Sequence, residues 1–465
     1  MPAVEQFDVI ILGSGQAGNP LASAYSAKGK TVALIERAAV GGTCVNYGCT
    51  PTKTMVASAE VAYLARRGAE YGVGVGDVTV DMEKVRERKR GMVKTWREGS
   101  EKGIAKAEHV ELIRGEGSFT GPKQISVKLN EGGERSLTAA VIVIDTGLTA
   151  AVPKVTGIEH IEYLDNASVM ELDVVPEHLL VLGGSYIGLE FAQMFHRFGS
   201  KVTVVQNAQQ LLPLEDADIA EEVAKILREE GLEILLGAKA DAVEKTVNGL
   251  SLTVTIGGSA PRVHGSHLLI ATGRKPNTGA LQLQAAGIAV DEKGFIRVND
   301  RLETNVPGVY AVGDVKGGPA FTHVSYDDYR VLKTNLIDGG NRSIEGRPLP
   351  YCVFIDPQLG RIGASENELK KQGTKYRVAK MPMTSVARAM ETSRTNGFIK
   401  ALVDPETEQI LGAAVLGEDG GEIMSMIEIA MMGKLKYSAL RDGIFAHPLY
   451  AEALNNLFSS FADEK

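Results

Sequence analysis

Short, unbroken apolar runs alternate along this chain with longer stretches in which apolar residues recur at helical spacing. Phe7-Asp8-Val9-Ile10-Ile11-Leu12 has the length and composition of a buried strand, and Gly13-Ser14-Gly15-Gln16-Ala17-Gly18 follows it as a turn. A helical stretch then leads to Thr31-Val32-Ala33-Leu34-Ile35-Glu36, a second strand that ends in an acid. Strand, glycine turn, helix and acid-terminated strand form a complete dinucleotide-binding fingerprint. Gly13, Gly15 and Gly18 let the backbone approach a pyrophosphate at a helix N-terminus, and Glu36 is placed to accept from an adenosine ribose. Pro20 is tolerated there because it falls in the helix's early turns.

The same order of elements recurs from Leu179. Leu179-Leu180-Val181-Leu182 predicts a strand, Gly183-Gly184-Ser185-Tyr186-Ile187-Gly188 a turn, the residues through Phe198 a helix, and Lys201 to Val205 a second strand. This copy has Ser185 in place of the middle glycine and ends in Gln206-Asn207. An acid there would favour NAD and a basic residue NADP, so the pattern leaves the nicotinamide cofactor open. Further along, Phe398 to Val403 and Ile410 to Val415 predict strands around the turn Asp404-Pro405-Glu406.

Between the two fingerprints lies the segment Gly41-Gly42-Thr43-Cys44-Val45-Asn46-Tyr47-Gly48-Cys49-Thr50-Pro51-Thr52-Lys53. Residues five apart are separated by about 7.5 Å along a helix and by roughly 16 Å along a strand. A disulfide needs α-carbons within about 7 Å, so the segment must fold back, with Gly48 providing the turn. Cys44 is expected in a loop and Cys49 at a helix start, since Pro51 suits a first turn and Lys53 to Tyr63 has helical periodicity. The helix dipole and Lys53 one turn later both favour a Cys49 thiolate. A zinc site would need more Cys or His nearby, and Cys352, beside an apolar strand-like run, reads as core, so no metal site is expected.

The chain has 465 residues, enough for about three domains. A net charge of −8 argues against nucleic-acid and anionic-membrane partners. Arg86 to Arg97 is locally basic, but Met82, Val85, Met92, Val93 and Trp96 run through it and predict a solvated amphipathic helix. With no leader pattern and no apolar run of about 18 residues, a soluble, cytoplasmic protein is expected. Three cysteines exclude a secreted disulfide scaffold, and an isolated pair in a reducing compartment points to catalysis.

On these motifs, together with Ala271-Thr272-Gly273-Arg274-Lys275-Pro276-Asn277, Val309-Tyr310-Ala311-Val312-Gly313-Asp314 and His447-Pro448-Leu449-Tyr450-Ala451-Glu452, the chain resembles the FAD-dependent pyridine nucleotide-disulfide oxidoreductases over nearly its whole length. That family includes glutathione reductase, lipoamide dehydrogenase and mercuric reductase. The resemblance implies an α/β fold of two Rossmann-like units plus a C-terminal α+β dimerisation domain. Residues 1–150 and 270–335 would bind FAD, 151–269 would bind NAD(P)H, and 340–465 would form the interface, after the linker cue Asp338-Gly339-Gly340-Asn341 and Pro348 and Pro350. It implies Cys44 as the exposed interchange thiol and Cys49 as the flavin-facing thiol, behind Gly42 and Thr43. Lys53 would pair with Glu190 near the flavin, Tyr186 would cover the nicotinamide pocket, and Gly273 would sit in the cofactor-binding turn. Asp314 would hold the ribityl chain, and the helix opening at Thr322 would face the isoalloxazine ring. His447 and Glu452 resemble the family's acid-base dyad, which serves the thiols of the other subunit in a homodimer.

The stretch Phe321 to Arg330, with Ser385 to Ala389, leans toward the mercuric reductase-like branch, although the C-terminal run Phe461 to Lys465 lacks that branch's cysteine pair. Three functions follow. The first is an NAD(P)H-dependent reductase of a small-molecule or protein disulfide. The second is a reductase of a soft metal ion, mercuric or cupric, at the same dithiol. The third is a lipoamide dehydrogenase-like subunit or thiol redox sensor. The intact thiol pair argues against a soluble transhydrogenase.

Overall fold

The computed structural model describes residues 4–463; Glu464 and Lys465 of the C-terminal run lie outside them. Strand β1 (Val4–Leu12), helix α1 (Gly18–Ser26) and strand β2 (Val32–Glu36) form the first βαβ unit, with Val9 beside Val32 and Leu12 beside Ile35 in parallel register. Every residue of β2 is buried, which is why its run is apolar without alternation. The helices α2 (Gly42–Asn46), α3 (Cys49–Arg66) and α4 (Met82–Ala105) come next, then strands β3 (Val110–Gly121), β4 (Gln124–Leu129) and β5 (Glu134–Ile144). The first half of β3 pairs in parallel with β2, while its second half turns into an antiparallel meander with β4 and β5. Strand β5 returns alongside β1, and Val309–Ala311 adds to its other side, so the chain re-enters this sheet long after leaving it.

A second, four-stranded parallel sheet places His178–Leu182 between His267–Ile270 and Lys201–Val205, with Glu233–Leu235 at the edge. Helix Tyr186–Phe198 follows its glycine turn. A third sheet has five antiparallel strands built around Ile410–Gly417 and Phe398–Val403, with helices Gly420–Met432 and Ala453–Ser459 packed on it. Residues 337–350, which lead into this sheet, carry no helix or strand.

One apolar cluster joins parts of all three regions. It contains Met55 and Ala59 of α3, Leu189, Phe191 and Phe195 of helix Tyr186–Phe198, and Leu359, Phe398 and Leu416 of the third sheet. Burying a side chain of this size contributes roughly 1.5–3 kcal/mol each. The cluster therefore fixes the helix that begins at Cys49 against the helix that carries Glu190.

Two sequence expectations are corrected, those for Cys44 and Cys352. Cys44 lies in the one-turn helix α2 and not in a loop, because the chain winds immediately after the left-handed Gly41 and Gly42. α4 is the solvated amphipathic helix expected, with Met82 and Val93 buried, Met92 and Trp96 exposed, and Lys89 buried in an ion pair with Glu171. It packs through polar contacts as well, Arg88 donating to the Thr54 carbonyl and Arg97 to Asn46. Cys352 is not core; it is half-buried and lines a cavity, since its strand Tyr351–Val353 is the edge of the third sheet.

Candidate active site

A cavity of about 750 Å³ runs from the first glycine turn and Glu36 to the two cysteines, Asp314 and Thr322. Its glycine-turn end is built by close backbone approach: a Cβ at Gly18 would collide with the Gly13 carbonyl, and one at Gly188 in the second unit would collide with that of Gly183. Glu36 is tied down from its own turn, one carboxylate oxygen accepting from the Ser14 amide (3.0 Å) and hydroxyl (2.6 Å), the other from the Ala38 amide (2.8 Å). Carboxylate oxygens retain further lone pairs, so a ribose hydroxyl can still donate to it.

Cys49 is the first residue of α3, and its Sγ lies 3.3 Å from the Thr322 hydroxyl at the start of helix Thr322–Leu336. Two helix N-termini thus converge on one sulfur. Both cysteines are free thiols. Cys44 donates to Cys49, and this hydrogen bond, with those from Thr322 and the charge of Lys53, lowers the Cys49 thiol to about 6 against the opposing effect of burial. Cys44 is raised by the same bond and by burial, so the pair favours the proton on Cys44 over Cys49. Of the two, Cys49 is the more exposed, because it opens into the cavity. Cys352 on the same wall is pushed up to about 12, chiefly by burial, and stays a thiol.

Lys53, one turn into α3, donates to the buried Glu190 at 2.6 Å, and the second Glu190 oxygen accepts from the Phe354 amide at 2.9 Å. The ammonium also sits over the Phe354 ring, 4.7 Å from its centroid. Glu190 is 4% exposed, so its charge is held by this pairing.

A second cavity of about 600 Å³ follows the second glycine turn and is lined by Gly183, Ser185, Gln206 and Gly273. Gln206 repeats the work of Glu36: its Oε1 accepts from the Gly184 amide at 3.0 Å. The two cavities share Tyr186, Ile187 and Arg274 on their walls. Arg274 donates to the Tyr186 hydroxyl (2.8 Å), to Asp314 (3.2 Å) and to the Ala320 carbonyl (3.1 Å). Tyr186 is thereby held at the junction, its ring 5.8 Å from that of Phe321.

His447 and Glu452 meet as a pair, Nδ1 to Oε2 at 2.8 Å. The histidine is 68% exposed and does not line the thiol cavity of its own chain. The structure brings Cys44, Cys49, Lys53, Glu190, Asp314 and Thr322 to one cavity and leaves this pair outside it.

Two residues escaped the reading of the sequence. Asp145, at the end of β5, is fully buried, accepts from the Gly18 amide at 2.8 Å, and has its carboxyl raised well above the usual range by burial. The signal available was an acid directly after an apolar run and before Thr146-Gly147. Arg274 lay inside a quoted motif from which only Gly273 was singled out. Asp314 is likewise raised by burial, opposed by Arg274.

These features fit a flavin dinucleotide in the first cavity: a side-chain-free turn at a helix N-terminus, an acid at the ribose end, and a helix N-terminus beside the thiols. The model of the pyridine nucleotide-disulphide oxidoreductase family matches residues 7–328, and that of the family's dimerisation domain matches residues 349–458. A probable pyridine nucleotide-disulfide oxidoreductase RclA from Escherichia coli is 37% identical, covering 98% of this chain and 99% of its own. A mercuric reductase from Staphylococcus aureus is 32% identical over 96% of this chain and 81% of its own. The copper(II) complex of the HOCl-induced flavoprotein disulfide reductase RclA from Escherichia coli superposes with a TM-score of 0.90 at 36% identity, over 98% of this chain and 100% of that one. The dimerisation module supports a homodimer, and no helix among the described residues is long and apolar enough to cross a membrane. The chain belongs to the pyridine nucleotide-disulphide oxidoreductases, and it is an FAD-dependent oxidoreductase with NAD(P)H as its electron donor.

Proposed function

We propose that this protein reduces a disulfide substrate through Cys44 and Cys49. The observation that carries the reading is the placement of the pair: both cysteines line one cavity, and Cys49 opens α3 with its Sγ 3.3 Å from the Thr322 hydroxyl at the start of a second helix, a setting that favours a thiolate there. Bound FAD would supply the transfer of two electrons from NAD(P)H to the Cys44–Cys49 disulfide. The chain's own groups do the rest. Lys53 and Glu190 position one another beside the thiols, and Tyr186 separates the two cavities until the donor enters.

In the dithiol form, Cys44 loses its proton to a base and attacks one sulfur of the substrate disulfide, expelling the other as a thiolate. Cys49 then attacks Cys44, releasing the second thiol and closing the Cys44–Cys49 disulfide. The leaving thiolate needs an acid, and an imidazole oriented by a carboxylate suits both proton transfers. Because the His447–Glu452 pair is exposed and outside its own chain's thiol cavity, we assign this role to His447 of the partner subunit. We take residues 1–150 with 270–335 as the FAD domain, 151–269 as the NAD(P)H domain and 340–465 as the interface domain, in a cytoplasmic homodimer.

A second reading, reduction of a soft metal ion by the same thiols, is supported by the likeness to mercuric reductases and to a copper(II) complex. Anaerobic oxidation of NADPH and NADH with small disulfides, mercuric ion and cupric ion separates the two. Disulfide turnover is expected, lost in Cys44→Ser and strongly reduced in His447→Ala. Turnover with metal ions alone would overturn the reading.

A further inference from the structure

The second cavity carries a charge pattern that the sequence leaves scattered. Its wall, among the described residues, contains Lys154, Lys239 and Arg274 and not one carboxylate, whereas the first cavity has Glu36 at the corresponding strand end. Arg274 is engaged at the junction with Tyr186 and Asp314, so the two lysines are the cations left for a ligand.

Backbone hydrogen bonds show where Lys239 lies. The Gly237 amide donates to the Ala208 carbonyl (2.8 Å) and the Ala238 amide to that of Gln206 (2.9 Å), which lays the start of strand Lys239–Thr246 against the end of strand Lys201–Val205. That strand end is where an adenosine ribose is read in a dinucleotide fold. Lys239 is 66% exposed, and its one ion pair among the described residues is with Asp241 at 2.8 Å, a surface contact that costs little to exchange for a ligand charge. Lys154 makes no ion pair among the described residues. Gln206 meanwhile accepts from Gly184, as an acid would, and donates to the Gln210 carbonyl (3.1 Å), as a carboxylate could not, so it closes the turn with no negative charge.

We propose that this cavity selects NADPH, with Lys239 and Lys154 holding the 2′-phosphate and Gln206 as the residue whose neutrality permits it. The inference rests on the second cavity being the nicotinamide dinucleotide site. An acid at position 206 would repel the phosphate while still able to accept from Gly184.

Calorimetry on the oxidised, FAD-containing dimer with 2′,5′-ADP and 5′-AMP isolates the phosphate from any redox step. At low salt 2′,5′-ADP is expected to bind about tenfold tighter or better, with the advantage shrinking as salt rises. Lys239→Ala, Lys154→Ala and Gln206→Glu should each cut the ratio of the two affinities by about fivefold or more. NADPH should correspondingly exceed NADH in kcat/KM, and Gln206→Glu should move that ratio toward NADH. Equal binding of the two fragments, with NAD(P)H oxidation intact, would overturn the phosphate subsite alone. Binding of neither, with no NAD(P)H oxidation, would overturn the site as well.

Discussion

Replacing Cys44 with alanine removes the donor that contributes most to the Cys49 thiolate. In the native pair the Cys44 hydrogen bond, the Thr322 hydroxyl and the Lys53 charge hold Cys49 below an ordinary thiol, against the opposing effect of burial. A hydrogen bond to a charged acceptor is worth about 1.5–3 kcal/mol, which corresponds to about one to two pH units. Thr322 and Lys53 remain in Cys44→Ala, so the midpoint should rise by about one to two units and not all the way to an ordinary thiol. The sign is fixed by which form the bond favours: the donor stabilises the anion, so its loss moves titration up and reduces thiolate at neutral pH. The assay is the pH dependence of the alkylation rate at Cys49 in the reduced, anaerobic protein, with the labelled site identified by mass spectrometry. Native protein should keep reacting to lower pH than Cys44→Ala, whose rate should begin to fall about one to two units higher. A midpoint that stays within about 0.3 units of the native one, or falls, would refute the assignment of Cys49 as the thiolate held by Cys44.

Lys53→Met leaves the Glu190 carboxylate buried with only the Phe354 amide; allowing for the partial exposure of Lys53, the loss should be roughly 2–3 kcal/mol, read from the denaturation midpoint, and Glu190→Gln in the same chain should recover part of it. In anaerobic stopped-flow, Lys53→Met and Glu190→Ala should both slow reduction of the protein by NADPH, and unchanged rates would show that the pair has no part in that half-reaction. His447→Ala and Glu452→Gln should lower disulfide turnover by about 10²–10⁴ and about tenfold respectively, while reduction by NADPH proceeds; equal losses in both half-reactions would contradict a role in proton transfer. Gly42→Ala places a Cβ 2.8 Å from the Gly15 α-carbon at a backbone φ of +64°, so purified protein should retain visibly less flavin by its absorbance at 450 nm.

Periodicity and turn chemistry made much of the fold legible. Strands Lys201–Val205 and Phe398–Val403 lie where short, largely apolar runs placed them, because a strand buried on both faces has no solvent side to impose alternation on its sequence. The start of α3 at Cys49 was equally local, set by Gly48 and Pro51. Local information failed where a neighbour from elsewhere in the chain decides the environment. Lys89 is buried because Glu171 reaches it, Cys44 winds into a helix after two left-handed glycines, and Cys352 faces a cavity because its strand is an edge.

What the sequence determined by itself was the identity of the reactive groups and their local settings: two glycine turns, a thiol pair at a helix start, an acid at one strand end and an amide at the other. Tertiary structure alone decided which of them meet. Lys53 reaches Glu190 across 137 positions because one apolar cluster clamps their helices together. Lys239 reaches the amide-terminated strand through two backbone hydrogen bonds, and Asp145 becomes the buried anchor of the first turn. Hydrophobic patterning is a short-range record of solvent exposure, whereas the charge at a given sulfur or phosphate is a sum over groups that only the packed chain brings within range.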